Sequence, residues 1–138
     1  MAWADYLHTG NTNLLNQHYA TLQTDSFTWA AASCGLMKGF PNFPQTTNSD
    51  VVDWPVGSRD GFVIKNGSYR NYTNAVNNAF YYRSLRLMAN IATALGRNGD
   101  AATYTTCADQ VYSVYNATFW DDAQQCYIDG VGTSHASA

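Results

Sequence analysis

Glutamate is absent from the 138 residues: all ten acidic side chains are aspartate. No reaction that requires a glutamate can be carried by these residues alone. Lysine is nearly as scarce, with Lys38 and Lys65 alone and a formal net charge of −3. No basic stripe is available to neutralise a row of phosphates, which disfavours nucleic-acid binding. Charged residues make up 12% of the chain, about half the usual share, so the surface must be largely neutral and polar. Apolar runs are a few residues long, far below the ~20 that cross a bilayer, and no positively charged start leads into an apolar signal core. Neither a membrane span nor a signal peptide is expected in this sequence. Cysteine is limited to Cys34, Cys107 and Cys126, with no close Cys or His partner beside any of them. His8 and His18 are not at ligand spacing, so neither a metal site nor a cofactor is expected.

What is present argues for a packed protein. Ten Tyr, six Phe and four Trp occur, and disordered segments are poor in such residues. Three sequons begin at Asn66, Asn71 and Asn116. They fit a glycosylated, secreted protein of a eukaryote, and with the cysteines they favour an oxidising compartment. Cys107 with Cys126 is the disulfide to test first.

Along the chain, Trp3 to Gly10 reads as the end of a helix closed by a C-terminal glycine. Asn13 is placed to cap a second helix, with Leu14, Leu15, His18, Tyr19 and Leu22 at three- and four-residue steps. Periodicity is lost after Asp25. Gly35, Gly39, Pro41, Pro44, Pro55, Gly57, Gly61 and Gly67 punctuate a long ordered loop over 25–72. A connection this long is usually functional or disordered, and its aromatic content argues for function. From Thr73 to Leu95 the set Val76, Phe80, Leu87, Met88, Ile91 and Leu95 follows the helical period and stops at Gly96. Asp100 is placed to cap a further helix bearing Tyr104, Cys107, Ala108, Val111, Val114 and Tyr115. The short link Arg97-Asn98-Gly99 makes this pair an antiparallel hairpin. A small β-turn segment is expected from Asp121 to Gly130.

Several stretches in this order carry a resemblance. They are Trp3-x-Asp5-Tyr6-x3-Gly10, Asp53-Trp54-Pro55-x3-Arg59-Asp60-Gly61-Phe62, Asn77-Asn78-Ala79-Phe80-Tyr81-Tyr82-Arg83-Ser84-Leu85, and Ile91-Ala92-x2-Leu95-Gly96. Tyr127-x-Asp129-Gly130 and Ser134-His135-Ala136-Ser137 follow. The chain resembles the (α/α)6-barrel catalytic domain of the α-L-rhamnosidases of glycoside hydrolase family 78. The resemblance runs from Trp3 to the C-terminus and rests on the combination and order of the motifs. It implies a mainly α fold of helical hairpins forming part of an (α/α)6 toroid, or six-hairpin glycosidase. The four helices read here are about a third of such a ring, so residues 1–138 read as a fragment of one barrel domain. Its expected partner is the remainder of that domain.

Inverting glycosidases hold an acid and a base ~6.5–9.5 Å apart across the scissile bond. Members of the resembled family fill these roles with two glutamates. The resemblance places the acid before Trp3 and the base beyond Ala138, so no catalytic residue is expected within the chain. What it carries over is substrate binding. Asp53 would accept hydrogen bonds from rhamnose hydroxyls, and Trp54 would cover the apolar ring face. Arg59 and Asp60 would pair or present a second donor and acceptor, and His135 would stand beside the pocket. The simpler readings stay open: Asp53 closing a turn before Trp-Pro, Arg59-Asp60-Gly61 as a salt-bridged turn, and His135 as a solvated terminal residue. Tyr81 and Tyr82 are weak site candidates, since packing suits at least one of them. Asp121, Asp122 and Asp129 lack the ligand order of a calcium loop and read as a turn.

The expected substrate is thus a rhamnoside, hydrolysed with inversion by the parent protein. A six-hairpin glycosidase of other specificity is the near alternative, because the fold does not fix the sugar. A non-catalytic sugar-binding homologue is the alternative from another class.

Overall fold

The computed structural model describes residues 2–25, 34–37, 73, 75–128, 130 and 136–137. Among the described residues four helices and three short strands follow one another: α1 (Ala2–Thr9), α2 (Asn13–Asp25), α3 (Ala75–Ala94), α4 (Asn98–Phe119), β1 (Trp120–Asp121), β2 (Cys126–Ile128) and β3 (Ala136–Ser137). No helix among the described residues is long and apolar enough to cross a membrane. Two compact units are formed, one from residues 1–35 and 81–112, the other from 36–80 and 113–138.

In the first unit, both helical hairpins are closed by local chemistry. Gly10 takes φ +70° and donates its N–H to the Tyr6 carbonyl at 2.8 Å, an αL stop that glycine adopts without steric cost. Thr9 Oγ1 then accepts the Asn11 N–H at 3.1 Å, and Asn11 Oδ1 accepts the Asn13 N–H at 2.8 Å. Asn11, and not Asn13, therefore satisfies the open amide at the start of α2. Its side chain lies two residues upstream, within reach of an amide that has no helical acceptor.

At the end of α3, Gly96 at φ +70° donates to the Thr93 carbonyl at 3.0 Å and Arg97 N–H donates to the Ala92 carbonyl at 2.8 Å. These two bonds are a Schellman motif. The Arg97 carbonyl accepts from Ala101 N–H at 3.0 Å, so α4 begins at Asn98. Asp100 is consequently not the cap but lies inside the first turn, where the helix dipole favours its negative charge. Its carboxylate is left for a tertiary contact.

Pairings between helices give their directions. Tyr82 meets Tyr112 at 5.9 Å between ring centroids, and one turn later Arg86 meets Asp109 at 2.7 Å. One index rises as the other falls, so α3 and α4 are antiparallel. Tyr19 bonds Asp100 and Gln23 bonds Tyr104, so α2 and α4 run in the same direction. Hairpins set side by side produce this up-and-down alternation.

The buried stripe of α3 keeps Met88 and Ile91 of the expected set and departs from it elsewhere. Tyr81, Leu85, Met88, Ile91 and Ala92 are buried in the first unit, and Ala75 and Asn78 in the second. Phe80 is 59% exposed. The stripe is set by position, with an asparagine and a tyrosine occupying core places, so following only the apolar letters rotated it. On α4, Tyr104, Cys107, Ala108 and Val111 are buried as expected, whereas Val114 is exposed.

The disulfide is also corrected. Cys107 bonds Cys34, with Cα atoms 4.7 Å apart across 73 residues of sequence, and Cys126 is a free thiol. Cys107 is buried on α4 in the first unit, and its single sulfur is taken by Cys34 of the same unit.

In the second unit the expected β-turn segment is a three-stranded antiparallel sheet in the order β1-β2-β3. Trp120 pairs with Tyr127, Asp121 with Cys126, Tyr127 with Ser137, and Ile128 with Ala136. Asp121 Oδ1 accepts the Ala123 and Gln124 backbone N–H groups at 2.8 and 3.1 Å, which fixes the turn. These bonds hold its carboxyl below the usual carboxylate range. An aspartate bonded to its own turn amides is a structural device, as the simpler reading proposed.

Candidate functional site

Asp53, Trp54, Arg59, Asp60 and His135, the expected sugar-contacting residues, lie outside the described residues, as do Asn66, Asn71 and most of the 25–72 stretch. What the structure describes is the frame around that stretch. Its near end, residues 34–37, and the helix at its far end, α3, carry the informative contacts.

Cys34 has φ 47° and is covalently joined to Cys107 within the first unit. Within the second unit, Met37 is buried and its backbone is bonded at both polar groups by one side chain. Asn78 Oδ1 accepts the Met37 N–H at 2.6 Å, and Asn78 Nδ2 donates to the Met37 carbonyl at 3.0 Å. Asn78 is fully buried on α3. A buried amide is tolerated only when its donor and acceptor are both engaged, and here the partner is the Met37 backbone. In the sequence Asn78 stands out only as part of the Asn77–Leu85 motif. A polar residue at the helical step of Tyr81 and Leu85 was the available signal.

A second polar cluster ties α2 to the start of α4. Tyr19 Oη donates to Asp100 Oδ2 at 2.8 Å, and Gln23 Nε2 donates to Tyr104 Oη at 3.1 Å. The Arg97 guanidinium lies 4.3 Å from the centroid of the Tyr19 ring, a cation–π distance. Burial, reinforced by the hydrogen bond to Asp100, raises the Tyr19 hydroxyl well above the ordinary tyrosine range.

Tyr81 is fully buried, and its hydroxyl has no hydrogen-bond partner among the described residues. Burial pushes its pKa up to about 12. Tyr82 is instead half-buried and accepts from Arg86 Nε at 3.1 Å. Of the two tyrosines, Tyr81 is therefore the core residue.

Four carboxylates of the described residues, those of Asp100, Asp109, Asp121 and Asp122, are engaged in structural contacts. Asp100 accepts from Tyr19, Asp109 pairs with Arg86, Asp121 holds its turn, and Asp122 Oδ1 accepts the Trp120 indole N–H at 2.9 Å. Asn116 stands on the last turns of α4, where its Oδ1 accepts from Tyr127 Oη at 2.7 Å.

Short-linked helical hairpins with alternating direction define a hairpin-repeat α-helical protein among the described residues. Across residues 1–138 the sequence matches the family described as bacterial alpha-L-rhamnosidase 6 hairpin glycosidase domain, and the chain belongs to that family. No curated protein and no solved structure matches it. The mainly helical architecture fits membership in a fold counted by its hairpins. Membership supports a glycoside hydrolase-like function with a carbohydrate as substrate.

Proposed function

We propose that residues 1–138 are the sugar-holding part of an inverting α-L-rhamnosidase that releases terminal rhamnose from glycosides or polysaccharides. The family match over the whole chain carries this reading. Within it, Asp53 accepts hydrogen bonds from rhamnose hydroxyls and Trp54 covers the apolar face of the ring. Arg59, Asp60 and His135 complete the polar lining. The acid and the base are carboxylates of the remainder of the barrel domain, because the sequence offers no glutamate to fill the family's roles. The Cys34–Cys107 disulfide supports secretion into an oxidising compartment.

The absence of glutamate favours one second reading, a sugar-binding homologue that does not hydrolyse. Activity of the chain on an aryl α-L-rhamnoside is the test of where the chemistry resides. No turnover is expected, and Asp53→Asn should change nothing in that assay. Robust turnover abolished by Asp53→Asn would place a catalytic carboxylate at Asp53 and refute the division into holding and bond-breaking parts.

A further inference from the structure

Trp120, the first residue of β1, is 39% exposed, yet its ring is held at two points. The indole N–H donates to Asp122 Oδ1 at 2.9 Å, and the ring meets Tyr127, its cross-strand partner, edge-on with centroids 5.1 Å apart. Tyr127 is fixed in turn by its hydroxyl bond to Asn116 Oδ1 at 2.7 Å and by the Tyr115 ring at 5.8 Å. All of these residues belong to the second unit. An indole whose N–H is engaged presents carbon to water. The exposed part of the ring gains nothing from being held still, since ordering a side chain costs entropy and only buried area offsets it. A ligand does gain, because an aromatic already fixed in place has little rotamer freedom left to lose on binding.

The border of this ring is polar. Asp122 is exposed and commits Oδ1 to the indole, which leaves Oδ2 as an acceptor beside the ring. Gln125 stands in the same turn at φ 56°, and its Nε2 donates to the Asp122 carbonyl at 2.8 Å, so the turn carrying Asp122 is itself braced. An aromatic surface bordered by a carboxylate matches a pyranose, which has a face of C–H groups and hydroxyls that donate from its edge. The family match supplies the same ligand class, a carbohydrate. We propose that Trp120 and Asp122 form a second carbohydrate-contacting site, where a pyranose stacks on the indole and donates a hydroxyl to Asp122 Oδ2. The site rests on the carbohydrate reading of the family and makes no use of Asp53 or Trp54, so the two sites stand or fall separately.

The test follows the full chain by backbone and indole N–H NMR during titration with L-rhamnose. The indole signal of Trp120, identified by its absence in Trp120→Phe, should shift saturably with a Kd of about 1–100 mM, the range open to a monosaccharide. L-rhamnitol, an open-chain polyol without a ring face, should leave that signal in place. Asp122→Ala should weaken the response at least ~10-fold, as expected for loss of a charged acceptor. Asp122→Asn keeps an acceptor for the indole and should weaken it about threefold, which decides the matter if Asp122→Ala does not fold. Phe80→Ala removes an aromatic of the same unit that is more exposed still and should leave the Kd within about twofold. A Trp120 shift that persists in Asp53→Asn supports this site even if the Asp53 reading fails. No saturable shift at Trp120, an equal shift with L-rhamnitol, or an unchanged Kd in both Asp122 variants overturns the proposal.

Discussion

Tyr81→Phe removes one oxygen from the centre of the α3 stripe and leaves the ring in place. The hydroxyl is fully buried and unpartnered among the described residues. A buried hydroxyl without a hydrogen bond costs about 1–3 kcal/mol by protein substitution data. Part of that is already balanced by packing of the oxygen, so Tyr81→Phe should stabilise the chain by about 1 kcal/mol. For a domain of this size that is a rise in Tm of roughly 3–5 °C. Thermal unfolding followed by circular dichroism measures it. The same residue gives a pH signature. Its folded pKa of about 12 lies above the ordinary value near 10, so the folded state holds the proton more tightly than the unfolded one. Stability from this source is intact below pH ~10, falls by about 1.4 kcal/mol per pH unit above it, and levels off above ~12. The alkaline loss of about 3 kcal/mol should be largely absent in Tyr81→Phe. A variant less stable than wild type by 1 kcal/mol or more, with the alkaline slope unchanged, would show that the hydroxyl is bonded and refute the argument.

Cys34→Ser should destabilise the chain by about 3–4 kcal/mol, because the bridge closes a loop of 73 residues. Cys126→Ser should change stability by less than ~0.5 kcal/mol, and mass mapping of the oxidised protein should find the Cys34–Cys107 peptide pair. Tyr19→Phe removes the bond to a charged acceptor at Asp100, with an expected loss of about 1.5–3 kcal/mol in urea unfolding. Gly96→Ala meets no atom within 4 Å but must hold φ +70°, so it should cost about 1 kcal/mol by the same measurement.

How much of this was legible in the sequence depended on how local the cause was. Gly10 and Gly96 were readable as helix stops because a positive φ at a C-terminus is decided within a few residues. The α3–α4 hairpin was readable for the same reason. The starts of α2 and α4 were shifted by neighbouring candidates. Asn11 competes with Asn13, and Asp100 forms its bond with Tyr19, a contact 81 residues away that no window contains. The buried face of α3 was legible at Met88 and Ile91 and hidden at Asn78 and Tyr81, whose polar groups break the apolar period although both occupy core positions. Cys34–Cys107 was invisible because pairing follows the fold and not spacing. The 25–72 stretch has no period at all. Its proposed sugar contacts at Asp53 and Trp54 therefore rest on resemblance and family membership, and the structure contributes the frame at Met37 and Asn78.

The central claim is that this chain holds rhamnose through Asp53 and Trp54. Titration of the chain with L-rhamnose, followed by tryptophan fluorescence and calorimetry, tests it most directly. The account predicts saturable binding that Asp53→Asn weakens about 10- to 100-fold, the effect of removing a charged hydrogen-bond acceptor from a bound hydroxyl. Absence of binding, or equal affinity in wild type and Asp53→Asn, would contradict it.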